Sequence, residues 1–242
     1  MPKIVPQRQK AQLIGTSDIT HDLREFRFRS AGGASFLPGQ FAMLDLPGVD
    51  ASRAYSLSNT ANDDGEWHFQ VRRVPHGKGT HALFDKLACG DEIGLDGPYG
   101  VAWLRTDSPR DIVCVAGGSG LAPMVSIARG AVEAGMLKNR KLYFFYGART
   151  PRDVCGREML AQLEGFGDRI VYLPVVSLPG DDGEWQGETG YVHDLVSRAL
   201  PENLTGYEFY FAGPPPMTQA LQEMLMVGHR VPFEQIHFDR FF

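Results

Sequence analysis

The sequence predicts two units in tandem: an antiparallel β-barrel, then an α/β domain built on a parallel sheet. Three observations predict this. The first hundred residues hold closely spaced strand-like runs with only one short helical stretch, the pattern of a small barrel or sandwich. Beyond Thr106-Asp107-Ser108-Pro109 strands alternate with helices, which implies a parallel sheet covered on both faces. A glycine-rich turn, Gly117-Gly118-Ser119-Gly120, joins the first strand of that half to its first helix. The boundary therefore falls near residue 107, giving a lead-in over 1–9, a barrel over 10–106 and an α/β domain over 107–242.

Residues 1–9 carry Pro2 and Pro6 among charged and amide side chains and read as a linker. Strand-like runs follow at 11–14, 23–29, 40–46, 53–57 and 67–74. The fifth is the clearest, because Trp67, Phe69 and Val71 alternate with His68, Gln70 and Arg72. Asn62-Asp63-Asp64-Gly65 before it is a hairpin-turn signal. Ala82, Leu83 and Leu87 fit a helical period over 80–87. A strand at 92–95 runs into Gly97-Pro98-Tyr99-Gly100. In the second half, strands are expected at 111–116, 141–146, 170–176, 207–212 and 235–238. Helices are expected at 121–134, 157–163, 192–199 and 216–227.

Composition narrows the function. A chain of 242 residues is long enough to bury a core without disulfides or metals. A net charge of −5 argues against a general nucleic-acid binder, which needs a basic face. No apolar run has the length of a membrane helix, and the start lacks a signal-peptide core. Cys89, Cys114 and Cys155 form no metal or iron–sulfur spacing, and an odd, unpatterned set suits a reducing cytoplasm. Cys114 sits in an apolar strand and reads as a small buried hydrophobe. The seven histidines show no ligand spacing, so no metal site is expected.

The chemistry-bearing residues gather in four places. In Arg53-Ala54-Tyr55-Ser56 an extended strand puts Arg53 and Tyr55 on one face. A guanidinium suits phosphate and a phenol ring suits a flat heterocycle, so the pair fits a nucleotide or a flavin. An exposed arginine beside a packing tyrosine is the plain alternative. The turn Gly117–Gly120 opens a helix, with Pro123 where a third Rossmann glycine would stand; backbone N–H groups and the helix dipole could hold a pyrophosphate there. It could also be packing chemistry alone. His76-Gly77-Lys78-Gly79-Thr80 is no P-loop, because Arg73 occupies the required glycine, but it opens a helix and could hold a second phosphate. Ser119 is no nucleophile elbow, because Leu121 stands where glycine is needed. Gly213-Pro214-Pro215-Pro216-Met217 is a stiff loop that could wall a slot for a planar ring or simply stop a strand.

Taken in order, these stretches resemble the ferredoxin–NADP reductase superfamily over residues 10–242. Arg53, Tyr55 and Ser56 match its flavin motif, and Gly77 and Thr80 its phosphate turn. Gly97-Pro98-Tyr99-Gly100 is the joint between domains. Gly117, Gly118, Gly120, Ala122 and Pro123 match its dinucleotide turn, followed by Tyr146-Gly147-Ala148-Arg149 and the late Gly213 loop. Within the superfamily the chain is similar to reductase components of bacterial multicomponent diiron monooxygenases of the toluene, phenol and alkene type. The stretches 37–42, 53–56, 146–153 and 236–242 carry that likeness.

The resemblance implies a ferredoxin reductase-like fold, with a barrel that binds FAD and a Rossmann-like domain that binds NADH. It implies FAD contacts from Arg53, Tyr55, Ser56, Leu57, Arg72, Val74, Gly77, Gly79 and Thr80. Dinucleotide contacts would come from Gly117, Gly118, Ser119, Gly120, Pro123, Arg149, Asp153, Gly213, Pro214, Pro215 and Met217. Ser56 and Phe242 would act at the flavin, the latter, or else Phe241, as a gate on its face; a last strand with a frayed end is the plain alternative. Asp153 could accept ribose hydroxyls, whereas Arg149 and Arg152 would welcome a 2′-phosphate; the family likeness favours NADH. Hydride would pass from NADH to FAD, then single electrons to a [2Fe–2S] ferredoxin domain or protein and an oxygenase. Two departures stand out. These residues lack the four cysteines of a plant-type cluster, and Ala212 replaces a cysteine common in relatives. Other readings are a free NAD(P)H:flavin oxidoreductase and a non-catalytic nucleotide-binding subunit.

Overall fold

A computed structural model describes residues 4–180, 185–201 and 203–239. Six strands form the first sheet: β1 (Gln7–Asp18), β2 (Leu23–Ser30), β3 (Phe41–Asp45), β4 (Arg53–Ser56), β5 (Glu66–Arg72) and β6 (Glu92–Tyr99). Their order is β4-β3-β6-β1-β2-β5, with every pair antiparallel. A bridge between Leu57 and Phe69 joins the two edges and nearly closes the barrel. Alternation explains the interior. Leu13, Phe26, Phe28, Leu44, Trp67, Phe69 and Leu95 turn inward and are buried. Trp67 Nε1 donates to Ser30 Oγ at 3.0 Å, so the buried indole N–H has a partner.

The lead-in differs from its sequence reading. Gln7–Gln9 are strand, because β6 extends to Tyr99 and pairs Gln7 with Gly97. Long-range pairing overrides a composition that reads as linker. The helical stretch also starts earlier, as α1 (Lys78–His81), and continues as a π-helical turn over Ala82–Lys86.

The second sheet has the strands β7 (Asp111–Gly117), β8 (Leu142–Ala148), β9 (Ile170–Val176), β10 (Glu188–Thr189), β11 (Tyr207–Ala212) and β12 (Ile236–His237). The order is β10-β9-β8-β7-β11-β12, all parallel. Helices α2 (Leu121–Glu133) and α3 (Arg157–Ala161) cover one face; α4 (Val192–Ala199) and α5 (Pro215–Gln222) cover the other. Strand β7 serves both layers: Ile112, Cys114 and Ala116 pack under α2, while Val113 and Val115 face α4 and α5. That is why its sequence is continuously apolar. Strand β10 has two residues and no periodicity to announce it.

A dense seam joins the units. Ser126 Oγ on α2 donates to Asn59 O at 2.7 Å and accepts from Gly39 N–H at 3.3 Å. Arg129 Nη1 donates to Ser58 O at 2.8 Å, and Thr60 Oγ1 to Glu133 Oε1 at 2.7 Å. A Cβ on Gly130 would stand 2.4 Å from Pro38 Cγ, so only glycine lets α2 lie this close. The connecting chain is pinned as well. Asp239 accepts from Val101 N–H at 3.0 Å and Ala102 N–H at 3.4 Å, and Tyr210 Oη accepts from Arg105 N–H at 2.9 Å.

Glu208 completes this anchoring from inside. Its carboxylate accepts from Ser108 Oγ at 2.6 Å and Arg110 Nη1 at 3.1 Å, and meets His237 Nε2 at 2.6 Å. Burial pushes this carboxyl up, but the His237, Ser108 and Arg110 contacts outweigh it and hold it below the usual range. A depressed folded-state value stabilises the fold above the unfolded pKa of about 4.3 and loses that effect as pH falls through the folded value. We therefore predict that Glu208→Gln costs about 1.5–3 kcal/mol at neutral pH, with the deficit shrinking below about pH 4. Denaturant melts from pH 7 to 3 test it; a deficit independent of pH contradicts it.

Candidate active site

Strand β4 sets the first part of the site. Arg53 and Tyr55 share a face, and α1 lies against both: a Cβ on Gly79 would stand 2.8 Å from Tyr55 Oη and 3.3 Å from Arg53 Cγ. The Arg53 guanidinium is exposed and donates to carbonyls of its own loop, Ala51 O at 3.0 Å and Ser52 O at 3.4 Å. Such contacts are readily exchanged for a phosphate. Burial raises the Tyr55 phenol, against the nearby Arg53 charge, to about 12, so it stays a donor at neutral pH. Ser56 points to the other face, in register with Phe41, which pairs in turn with Tyr99. Among the described residues no side chain bonds its hydroxyl.

The first-turn N–H groups of α1 have no intrahelical partner and open beside Arg53. Thr80 supports this turn from behind. Its buried hydroxyl accepts from Val74 N–H at 3.2 Å and reaches Val74 O and Gly77 O at 3.1 Å. Arg73, exposed Val74, His76, Lys78 and His81 line an adjoining groove of about 480 Å³. The Leu57 side chain is wholly inside the barrel core, because the closing bridge to Phe69 turns it inward.

The second part lies where the strand order reverses, between β7 and β11. Gly117 ends β7, Gly118–Gly120 form a 3₁₀ turn, and α2 follows. Gly118 has φ +57, which favours glycine, and Ser119 is exposed. Met217 fills the notch left by Gly117 and Gly213: added Cβ atoms would stand 2.7 Å from its Sδ and 2.4 Å from its Cε. The thioether thus backs the turn, while Pro214 and Pro215 are exposed on its rim. Pro123 is buried in the first turn of α2. Arg149 is exposed just past β8.

Asp153 is held by its neighbours. It is buried, and both oxygens are engaged: one takes Thr150 N–H at 2.9 Å and Thr150 Oγ1 at 2.6 Å, the other Arg72 Nη2 at 2.8 Å. Burial alone would raise this carboxyl, but Thr150 and the Arg72 charge hold it below the usual range. The spacing Thr150-Pro151-Arg152-Asp153 is a capping-box pattern, and this signal in the sequence could have shown that the carboxylate is occupied. Arg72 also departs from expectation. It bridges to the second domain instead of turning toward α1. Phe242 lies outside the described residues.

Glycine turns in both domains, a cation, an aromatic ring and a hydroxyl are the parts that two nucleotides would need. Residues 10–103 match the oxidoreductase FAD-binding domain family, and residues 114–223 the oxidoreductase NAD-binding domain family. The ferredoxin–NAD(P)+ reductase CarAd of Metapseudomonas resinovorans is 39% identical over 245 residues, spanning 100% of this chain and 71% of that protein. The chain belongs to the ferredoxin reductase family. It carries the FAD-binding and NAD-binding domains of an oxidoreductase, with FAD as cofactor and NADH as reductant. The alkene monooxygenase ferredoxin–NAD(+) reductase component of Xanthobacter autotrophicus is 37% identical, over 98% of this reductase and 71% of its own length. Among solved structures, the ferredoxin reductase in carbazole 1,9a-dioxygenase superposes with a TM-score of 0.90 at 37% identity, covering 100% of this chain and 71% of that one. No helix among the described residues is long and apolar enough to cross a membrane.

Proposed function

We propose that this reductase takes hydride from NADH onto FAD and feeds single electrons to a [2Fe–2S] ferredoxin serving a multicomponent oxygenase, in the cytoplasm. The barrel, residues 10–106, holds FAD, and residues 107–242 hold NADH. One observation carries the reading. The Arg53–Tyr55–Gly79 cluster and the Gly117–Gly120 turn belong to separate domains locked together along one seam.

The residues fit FAD. Arg53 and the first turn of α1 offer charge and N–H groups to a pyrophosphate. The small Gly79 keeps Tyr55 close to that turn, leaving its ring to cover a flat heterocycle. Ser56 supplies a hydroxyl to a ring nitrogen. Gly117–Gly120 and the N-terminus of α2 receive the pyrophosphate of NADH, with Gly213, Pro214 and Pro215 as the wall beside it. FAD, when bound, supplies the step from a two-electron donor to one-electron acceptors.

Arg53→Ala tests the anchor. A charge-assisted phosphate contact contributes about 1.5–3 kcal/mol, so FAD binding is expected to weaken about 10- to 100-fold. Fluorescence titration of the apoprotein measures it; wild-type affinity in the variant removes Arg53 from the site.

A further inference from the structure

The domains meet over an ion-paired bridge at the edge of the dinucleotide turn. Arg72 stands at the end of β5, in the barrel. Its Nε donates to Asp22 Oδ2 at 2.7 Å, and its Nη2 to Asp153 Oδ1 at 2.8 Å. Asp22 belongs to the turn between β1 and β2, whereas Asp153 caps a 3₁₀ turn of the other domain. The remaining nitrogen, Nη1, has no protein acceptor among the described residues. It faces Gly118, where a Cβ would stand 3.2 Å away.

We propose that Asp22 and Asp153 are positioning residues that hold Arg72 across the seam, so that its free edge meets the pyrophosphate of the nicotinamide dinucleotide. This rests on the function proposed above and moves Arg72 from FAD to NADH. The guanidinium is a planar fork with five donors; two carboxylates fix one side and leave the other pointing at the turn. The charges make the holding necessary. Two carboxylates and one guanidinium sum to −1, so an incoming diphosphate is repelled unless the cation is presented first. His21 stands nearby, its Nε2 3.8 Å from Asp22 and 3.9 Å from Asp153, and it is exposed. A lysine at position 72 would keep one charge but could not bond both carboxylates and the ligand in that geometry.

The test uses the FAD-loaded protein, with ferricyanide as acceptor. NADH is compared with reduced nicotinamide mononucleotide, which carries the same ring but no pyrophosphate. Asp22→Asn, nearly isosteric and clear of the Thr150 cap, is expected to raise KM for NADH about 3- to 10-fold with kcat within about twofold. Arg72→Ala is expected to raise it at least about 10-fold, and Arg72→Lys to recover little of that loss. FAD content stays at the wild-type level, and KM for the mononucleotide does not change. An unchanged KM for NADH in Asp22→Asn overturns the proposal. Equal effects on both reductants overturn it too, since they mark a structural role. Loss of FAD from Arg72→Ala with KM for NADH unchanged returns Arg72 to the flavin. A wild-type chain that binds FAD but takes no electrons from NADH refutes the proposed function itself.

Discussion

Gly120→Ala is expected to cost this reductase at least about 100-fold in kcat/KM for NADH while leaving FAD bound. A Cβ at position 120 would stand 2.0 Å from Ala212 O and 2.8 Å from Gly213 N. Both are backbone atoms at the end of β11, and β11 is paired along its length with β7. Neither can rotate away as a side chain would, so the 3₁₀ turn must move outward and carry its N–H groups with it. A displacement near 1 Å in a positioning element is worth about 100-fold in rate. Overpacking of this kind also costs roughly 1–3 kcal/mol of stability. Stopped-flow reduction of the bound flavin reports the step directly. A Gly120→Ala protein with wild-type KM and reduction rate would show that NADH does not use this turn.

Oxygenase turnover should be low with these 242 residues alone and rise by an order of magnitude or more when a [2Fe–2S] ferredoxin is added. Ferricyanide reduction by NADH should need no such addition. A plant-type cluster takes four thiolates. The sequence offers three cysteines, and the fold buries two of them. Cys114 is inside the parallel sheet, where burial pushes its thiol far up. Cys155 is buried with its Sγ against Tyr146 Oη at 3.1 Å, and burial raises it to about 11. Only Cys89 is exposed. Full coupling of NADH oxidation to oxygenase turnover without an iron–sulfur protein would overturn this electron path.

What the sequence made legible follows from how local each signal is. Runs 170–176, 192–199 and 207–212 coincide with β9, α4 and β11, because continuous apolar runs and a strong helical period need no distant partner to be read. The glycine turns and the Arg53–Tyr55 pair were legible because φ, alternation and charge are properties of a few adjacent residues. The misses depend on the rest of the chain. Gln7 is strand only because Gly97 lies beside it. Leu57 turns inward only because Phe69 closes the barrel across from it. Asp22 sits 50 positions from Arg72 and 131 from Asp153, and nothing near it in the sequence marks it as half of a bridge.

The pinned connection between the domains has a consequence for how the chain is made. Asp239 lies 138 residues beyond Val101, and Tyr210 lies 105 beyond Arg105. At about 5–20 residues per second, the ribosome needs on the order of ten seconds after the barrel's last strand to deliver those groups. The barrel strands are therefore all synthesised before the connection has anything to hold it in place. The relative placing of the two domains waits on residues made more than a hundred positions later.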